Sequence, residues 1–309
     1  EHEGQVGGCL QTFRRGAALF DTGFHYVGAL DEGESLHTLF SYFDLMGLPW
    51  KKLDEDCFDE VVIGEDTFAF ANKHQRFYER MAARFPKERE GLKKYVTFLK
   101  EVGDHIFGVF KGDEHKRYTY SLLSRSAYEF LNETIKDPLL KKVLSGTSLK
   151  MELNAPTLPL YTFAQINDSF IRSAWRLRGG GSQIADKLVE GILSMGGEVR
   201  TRAAVTYIKE ENGKAVGVIV NEEDYLEADW IISSVHPSHT ISLVKDSKAL
   251  RKIYRNRIAN LDNTFGMFTA NIRLKPGLLP YVIRNIFVHR VDADLWNVNT
   301  LKTEGVLVN

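Results

Sequence analysis

The sequence has 309 residues with 40 basic and 41 acidic side chains, a formal net charge of -1 and 43% hydrophobic residues. That suits one large or two medium folded domains, and the balanced charge gives no bulk field to recruit nucleic acid or an anionic membrane. Cys9 and Cys57 form no CxxC pair, so neither a zinc site nor a disulfide framework is indicated and a reducing, cytoplasmic setting is expected, and no apolar run approaches the ~20 residues of a membrane span.

Residues 1–28 hold six glycines and the stretch ALFDTG, read as a strand that ends in a glycine turn between loops. From Glu34 to Leu48, apolar residues at Leu36, Leu39, Phe40, Phe43 and Met46 predict an amphipathic helix closed by Gly47. FDEVVIGEDTFAFA then predicts two short strands around a Gly-Glu-Asp turn. From about His74 to Ser145 the spacing is helical, with breaks at Pro86, at KGDEHKR and at Asp137-Pro138. At helical spacing such aromatic-rich faces form plain core or line an apolar substrate tunnel.

After a less regular stretch comes RLRGGGSQIADKLVEGILSMGGEVRTRAAVTYIKEENGKAVGVIVNEEDYLEADWIISS. Ser182 is read as an N-cap, Ile184, Leu188, Ile192 and Leu193 as one apolar face, and Gly196-Gly197 as the helix end. Asn212-Gly213 predicts a hairpin, and YLEADWIISS a third, buried strand of a meander. A helix around Leu250–Ile258 and a strand over NTFGMFTANIRLK complete the reading.

Gly179–Gly181 before a helix is either a phosphate cradle or a tight turn, and the spacing departs from G-x-G-x-x-G because Ile184 takes the last position. His236 and His239 have an i, i+3 spacing, but Pro237 separates them and no carboxylate or cysteine cluster accompanies them, so no metal site is expected. Arg14, Arg15, Arg172, Arg176 and Arg178 are phosphate contacts or solvated surface arginines, the phosphate role favoured for the RSAWRLRGGG run. No G-x-S-x-G elbow supports a hydrolase.

The opening segment and residues 176–240 together resemble the FAD-dependent phytoene desaturase, carotenoid isomerase and retinol saturase family of the flavin amine-oxidase superfamily. The resemblance implies an α/β fold: a discontinuous Rossmann-type FAD-binding domain with a β-meander (1–34 and 176–240) and an inserted helix-rich substrate or cap domain (35–175 and 241–309). It implies that Glu1 ends a second strand and binds the FAD ribose, that Gly7 and Gly8 are the double glycine near the pyrophosphate and flavin, and that Asp21, Gly23 and His25 follow near the isoalloxazine. It places adenine on the main chain of Val205 and Ser234 at the cofactor end of a returning strand. His25 is the one candidate for a catalytic proton-transfer role, with loop orientation the other account of it.

By the same resemblance, a strand, a G-x-G-x-x-G turn and its helix are expected upstream and a G-D segment downstream, and the 309 residues alone are expected to hold FAD poorly. The implied activity is desaturation, saturation or isomerisation of a long apolar polyene by hydride transfer to or from flavin. An apolar small molecule is then the expected partner, with no nucleic acid and membrane contact at most peripheral. An amine oxidase and a cofactor-free binding module of the same fold are the alternatives.

Overall fold

The computed structural model describes residues 1–308 except 107–111, 246, 248, 265 and 298–304. In chain order the elements are β1 (Thr12–Arg15), β2 (Ala18–Asp21), β3 (Val27–Gly28), α1 (Ser35–Tyr42), β4 (Trp50–Lys52), β5 (Asp59–Ile63), β6 (Asp66–Phe70), α2 (His74–Arg84), α3 (Arg89–Asp104), α4 (Asp113–Leu123), α5 (Ala127–Thr134), α6 (Pro138–Ser145) and α7 (Leu160–Arg172). They continue with β7 (Ala174–Leu177), α8 (Ser182–Ser194), β8 (Val205–Glu211), β9 (Lys214–Val220), β10 (Asp224–Glu227), α9 (Pro237–Leu243), α10 (Lys252–Ala259), β11 (Asn285–His289) and β12 (Gly305–Val308). The chain divides into two compact units, one made of Glu1–Gln11 and Ile184–Gly266, the other of Thr12–Gln183 and Met267–Asn309.

The larger unit carries the main core. Strands run in the order β12-β11-β5-β6, with β11 and β5 parallel and the other pairs antiparallel. Residues at alternate positions of β5 are buried, so Val61 and Ile63 face inward, where they join Phe68, Phe77, Tyr95, Leu99, Phe163 and Phe287. A second sheet orders β3-β7-β4, all antiparallel. Helix starts follow local chemistry: Asp137 accepts from the amides of Leu139 and Leu140 with Pro138 at the first helical position, and Ser126 caps α5.

The smaller unit holds the meander β10-β9-β8. Its hairpin turns at Asn212 and Gly213, both at positive φ (51° and 78°), as the two-residue turn requires. Helix α8 begins at Ser182 itself, and of its expected apolar face Ile184 is buried while Ile192 and Leu193 are exposed.

Three expectations are corrected. The helix after Glu34 ends at Tyr42, before Gly47. The third meander strand stops at Glu227, and the expected buried continuation is irregular and open, with Trp230 90% and Ile232 97% exposed. The described residues of 263–275 form no strand, and Phe268 and Ile272 are exposed. An apolar run becomes a buried strand only where neighbours take up its backbone hydrogen bonds and cover its faces, and among the described residues these two runs have no such neighbour. No helix of the described residues is long and apolar enough to cross a membrane.

Candidate functional site

In the smaller unit the chain start is laced to the segment entering β8. The Glu1 carbonyl accepts from the amide of Ala203 at 2.9 Å and the Glu3 carbonyl from that of Arg202 at 3.0 Å. Asn221, at φ +51°, secures the same segment: its Oδ1 accepts from the Ala204 amide at 2.9 Å, its Nδ2 donates to the Arg202 carbonyl, and its own amide donates to the Ala204 carbonyl. Val205 opens β8 opposite Val220, beside a break in register before Tyr207, and β8 is the outer strand of the meander among the described residues. Glu1 and Val205 are thus brought close through Ala203. Asn221 escaped the sequence reading; its one signal is a turn-prone residue ending an apolar strand after a hairpin.

Gly7 has φ +105°, and a Cβ there would stand 2.8 Å from the Ala185 Cβ on α8, so only glycine lets the loop press against this helix. Gly8, at φ +52°, faces open space, with nothing within 4 Å of where a Cβ would lie. The Gly7 carbonyl accepts from Leu10 and the Gly8 carbonyl from Gln11, closing a single 3-10 turn. Ser234 lies in the exposed irregular segment before α9, and no hydrogen bond of the described residues ties it to Glu1, Gly7, Gly8 or Val205. His236 caps α9 through Nδ1 and approaches Asn263 Oδ1 through Nε2 at 2.9 Å.

In the larger unit Asp21 Oδ1 accepts from the Gly181 amide at 2.7 Å, and Gln183 Nε2 donates to the Arg178 and Gly180 carbonyls. Gly179 and Gly180 have φ +89° and +91°, and a Cβ on Gly180 would meet Thr12 Cγ2 at 2.6 Å. The triple glycine forms a tight turn that spends its Gly181 N–H on a protein carboxylate. His25 is half-buried; burial lowers its basicity below the ordinary imidazole value, the Arg176 charge acts the same way, and Asp21 opposes them.

A buried polar cluster missed by the sequence reading lies around Asp59. This carboxylate is fully buried and accepts from Lys150 Nζ at 2.5 Å, from the Tyr26 hydroxyl at 3.3 Å and from Asn285 Nδ2 at 2.8 Å. The Lys150 ammonium sits 3.9 Å from the Phe170 ring centroid and within 5.6 Å of those of Tyr26, Phe58 and Phe287. Burial lowers the Lys150 basicity against the pull of Asp59; burial, followed by the Asp59 charge, pushes the Tyr26 phenol well above its ordinary value. Asn285 Oδ1 accepts from Arg176 Nη2 at 2.8 Å. The legible signal was Asp59 itself, an acid at an inward position of an alternating strand.

The arginine run separates by environment. Arg172 is committed to Asp168 and Asp104, Arg178 is exposed, and Arg176 is half-buried on β7. Among the described residues no group of three or more metal-ligating side chains occurs.

The sequence model of a family described as flavin containing amine oxidoreductase matches residues 1–269. The all-trans-retinol 13,14-reductase of Danio rerio is 28% identical over 284 residues, 82% of this chain and 46% of that protein. The chloroplastic prolycopene isomerase of Daucus carota is 22% identical over 273 residues, 80% of this chain and 44% of that protein. The chain thus spans about half the length of the curated relatives it matches. A crystal structure of a Pyrococcus furiosus protein superposes with a TM-score of 0.61 at 16% identity, covering 93% of this chain and 64% of that one, a likeness of fold.

Proposed function

Because the chain belongs to the flavin containing amine oxidoreductase family, we propose that it forms part of an FAD-dependent oxidoreductase acting on a long apolar polyene, by desaturation, saturation or isomerisation. The polyene class is supported by the likeness to a retinol reductase and a prolycopene isomerase. The observation that carries the cofactor is the arrangement of the smaller unit: an exposed carboxylate at Glu1, open space at Gly8 and a free strand edge at Val205. A dinucleotide needs these three things, an acceptor for ribose hydroxyls, backbone without a Cβ beside the pyrophosphate, and a donor–acceptor pair for adenine.

In this reading Glu1 accepts from the ribose, Gly7 and Gly8 admit the pyrophosphate, and the N–H and C=O of Val205 hold the adenine edge. Ser234 is a further polar contact on the segment that follows β10. Bound FAD supplies two-electron chemistry, taking or giving a hydride. The protein supplies position and dryness. His25, whose basicity burial lowers against the pull of Asp21 and with the help of Arg176, is the candidate for a proton-transfer role.

Visible absorbance of the full-length protein after incubation with FAD is the test, and the substitutions are made in that full-length chain. Glu1→Ala should weaken flavin binding by about 1–3 kcal/mol through the lost hydrogen bonds, and unchanged affinity would remove Glu1 from the site. Turnover of a polyene but not of a polar amine supports the substrate class, and the opposite result replaces it with amine oxidation.

A further inference from the structure

We propose that Arg176 anchors an ionised carboxylate at one end of the polyene, an inference that rests on the polyene reading above and names the substrate's polar end. The observation is a half-buried guanidinium that makes no ion pair with a carboxylate among the described residues. Arg176 donates through Nη2 to Asn285 Oδ1, a neutral acceptor, and among the described residues it has no carboxylate partner.

The two other arginines of its run differ in the expected way: Arg172 is paired with two carboxylates and Arg178 is solvated. Nor is the buried carboxylate of the cluster free to pair with Arg176. Asp59 is engaged by Lys150, Tyr26 and the Asn285 amide, so the cluster holds two cations against one anion. Taking a cation partly out of water without a counter-charge is unfavourable, and such groups persist where a ligand supplies the missing charge.

The brace also fixes direction. Asn285 is fully buried, and its Nδ2 donates to both Asp59 Oδ1 and the Phe58 carbonyl, which locks the amide so that Oδ1 faces Arg176. One of the five guanidinium N–H groups is thereby used and the planar fork is held, leaving donors for a bidentate carboxylate. Arg176 lies at the middle of the central strand β7, directly opposite Lys51 on β4, which adds positive charge on the same face of the sheet. Continuing the β3–β7 register by one residue sets Tyr26 on its other flank, so an apolar ring borders the anchor.

The test measures quenching of tryptophan fluorescence by two polyenes of equal length, all-trans-retinoic acid and all-trans-retinol, in the whole protein. The wild type should bind the carboxylate at least tenfold more tightly, equivalent to about 1.4 kcal/mol. Arg176→Gln should abolish that difference while leaving the alcohol's affinity, and Arg176→Lys should keep part of it, since a point charge replaces the fork. An unchanged thermal midpoint in Arg176→Lys guards against misfolding as the cause.

Equal binding of acid and alcohol in the wild type, or an undiminished difference in Arg176→Gln, overturns the anchor and leaves the polyene reading standing. Failure of both polyenes to bind overturns both. If Arg176→Gln instead loses bound FAD, read by visible absorbance, while still favouring the acid, the guanidinium serves a cofactor phosphate and the inference is wrong.

Discussion

Lys150→Met isolates the contribution of the buried cluster. The substitution keeps much of the side-chain volume but removes the ammonium that sits among four aromatic rings and bonds Asp59. Asp59 then remains fully buried with only the Tyr26 hydroxyl and the Asn285 amide as donors. Breaking one side of a buried ion pair costs about 3–5 kcal/mol, because the surviving charge has lost its compensation, and the lost cation–π contacts, about 2 kcal/mol when desolvated, lie within that figure.

The companion variant Lys150→Met/Asp59→Asn removes both charges and keeps an amide where the carboxylate was. It should recover most of the loss, since replacing a buried pair by neutral groups is often close to neutral in stability. Urea unfolding followed by tryptophan fluorescence serves as the assay, in a Trp230→Phe background so that Trp50, Trp175 and Trp296 report on the larger unit alone. A single variant less than about 1 kcal/mol down, or a double variant as unstable as the single, would refute the claim that an uncompensated carboxylate is the cause.

Two further outcomes follow from the geometry. The folded His25 titrates below its ordinary value of 6.5, so as pH falls through 6.5 toward the folded value the unfolded chain takes up the proton first and stability declines; His25→Asn should flatten that decline in denaturant midpoints, and an identical slope would show that His25 does not titrate this way. Gly7→Ala forces a non-glycine residue to φ +105° and meets Ala185 at 2.8 Å, a backbone cost of about 1–3 kcal/mol. It should lower flavin occupancy, with partial recovery by Ala185→Gly; full occupancy in the single variant would move the loop away from the cofactor.

The reading of local chemistry held wherever a short segment contains its own reason. Asn212-Gly213 turns because both positions reach positive φ, β5 and β6 alternate around a glycine turn, and the helices from 74 onward follow apolar spacing.

Two apolar runs were misread. Residues 228–235 and 263–275 carry strand-like composition, yet a strand's burial belongs to its neighbours and not to its own sequence. The cluster around Asp59 was hidden for the complementary reason, since Tyr26, Lys150, Arg176 and Asn285 come from distant parts of the chain. The three arginines of one run look alike in the sequence, and only packing gave one two carboxylates, one water and one a neutral amide. Sequence alone determined the turns, the helical spacing and the glycines of a nucleotide-binding fold. Tertiary structure decided which charges are matched and which are left for a ligand, because charge compensation depends on what long-range folding brings within a few ångströms.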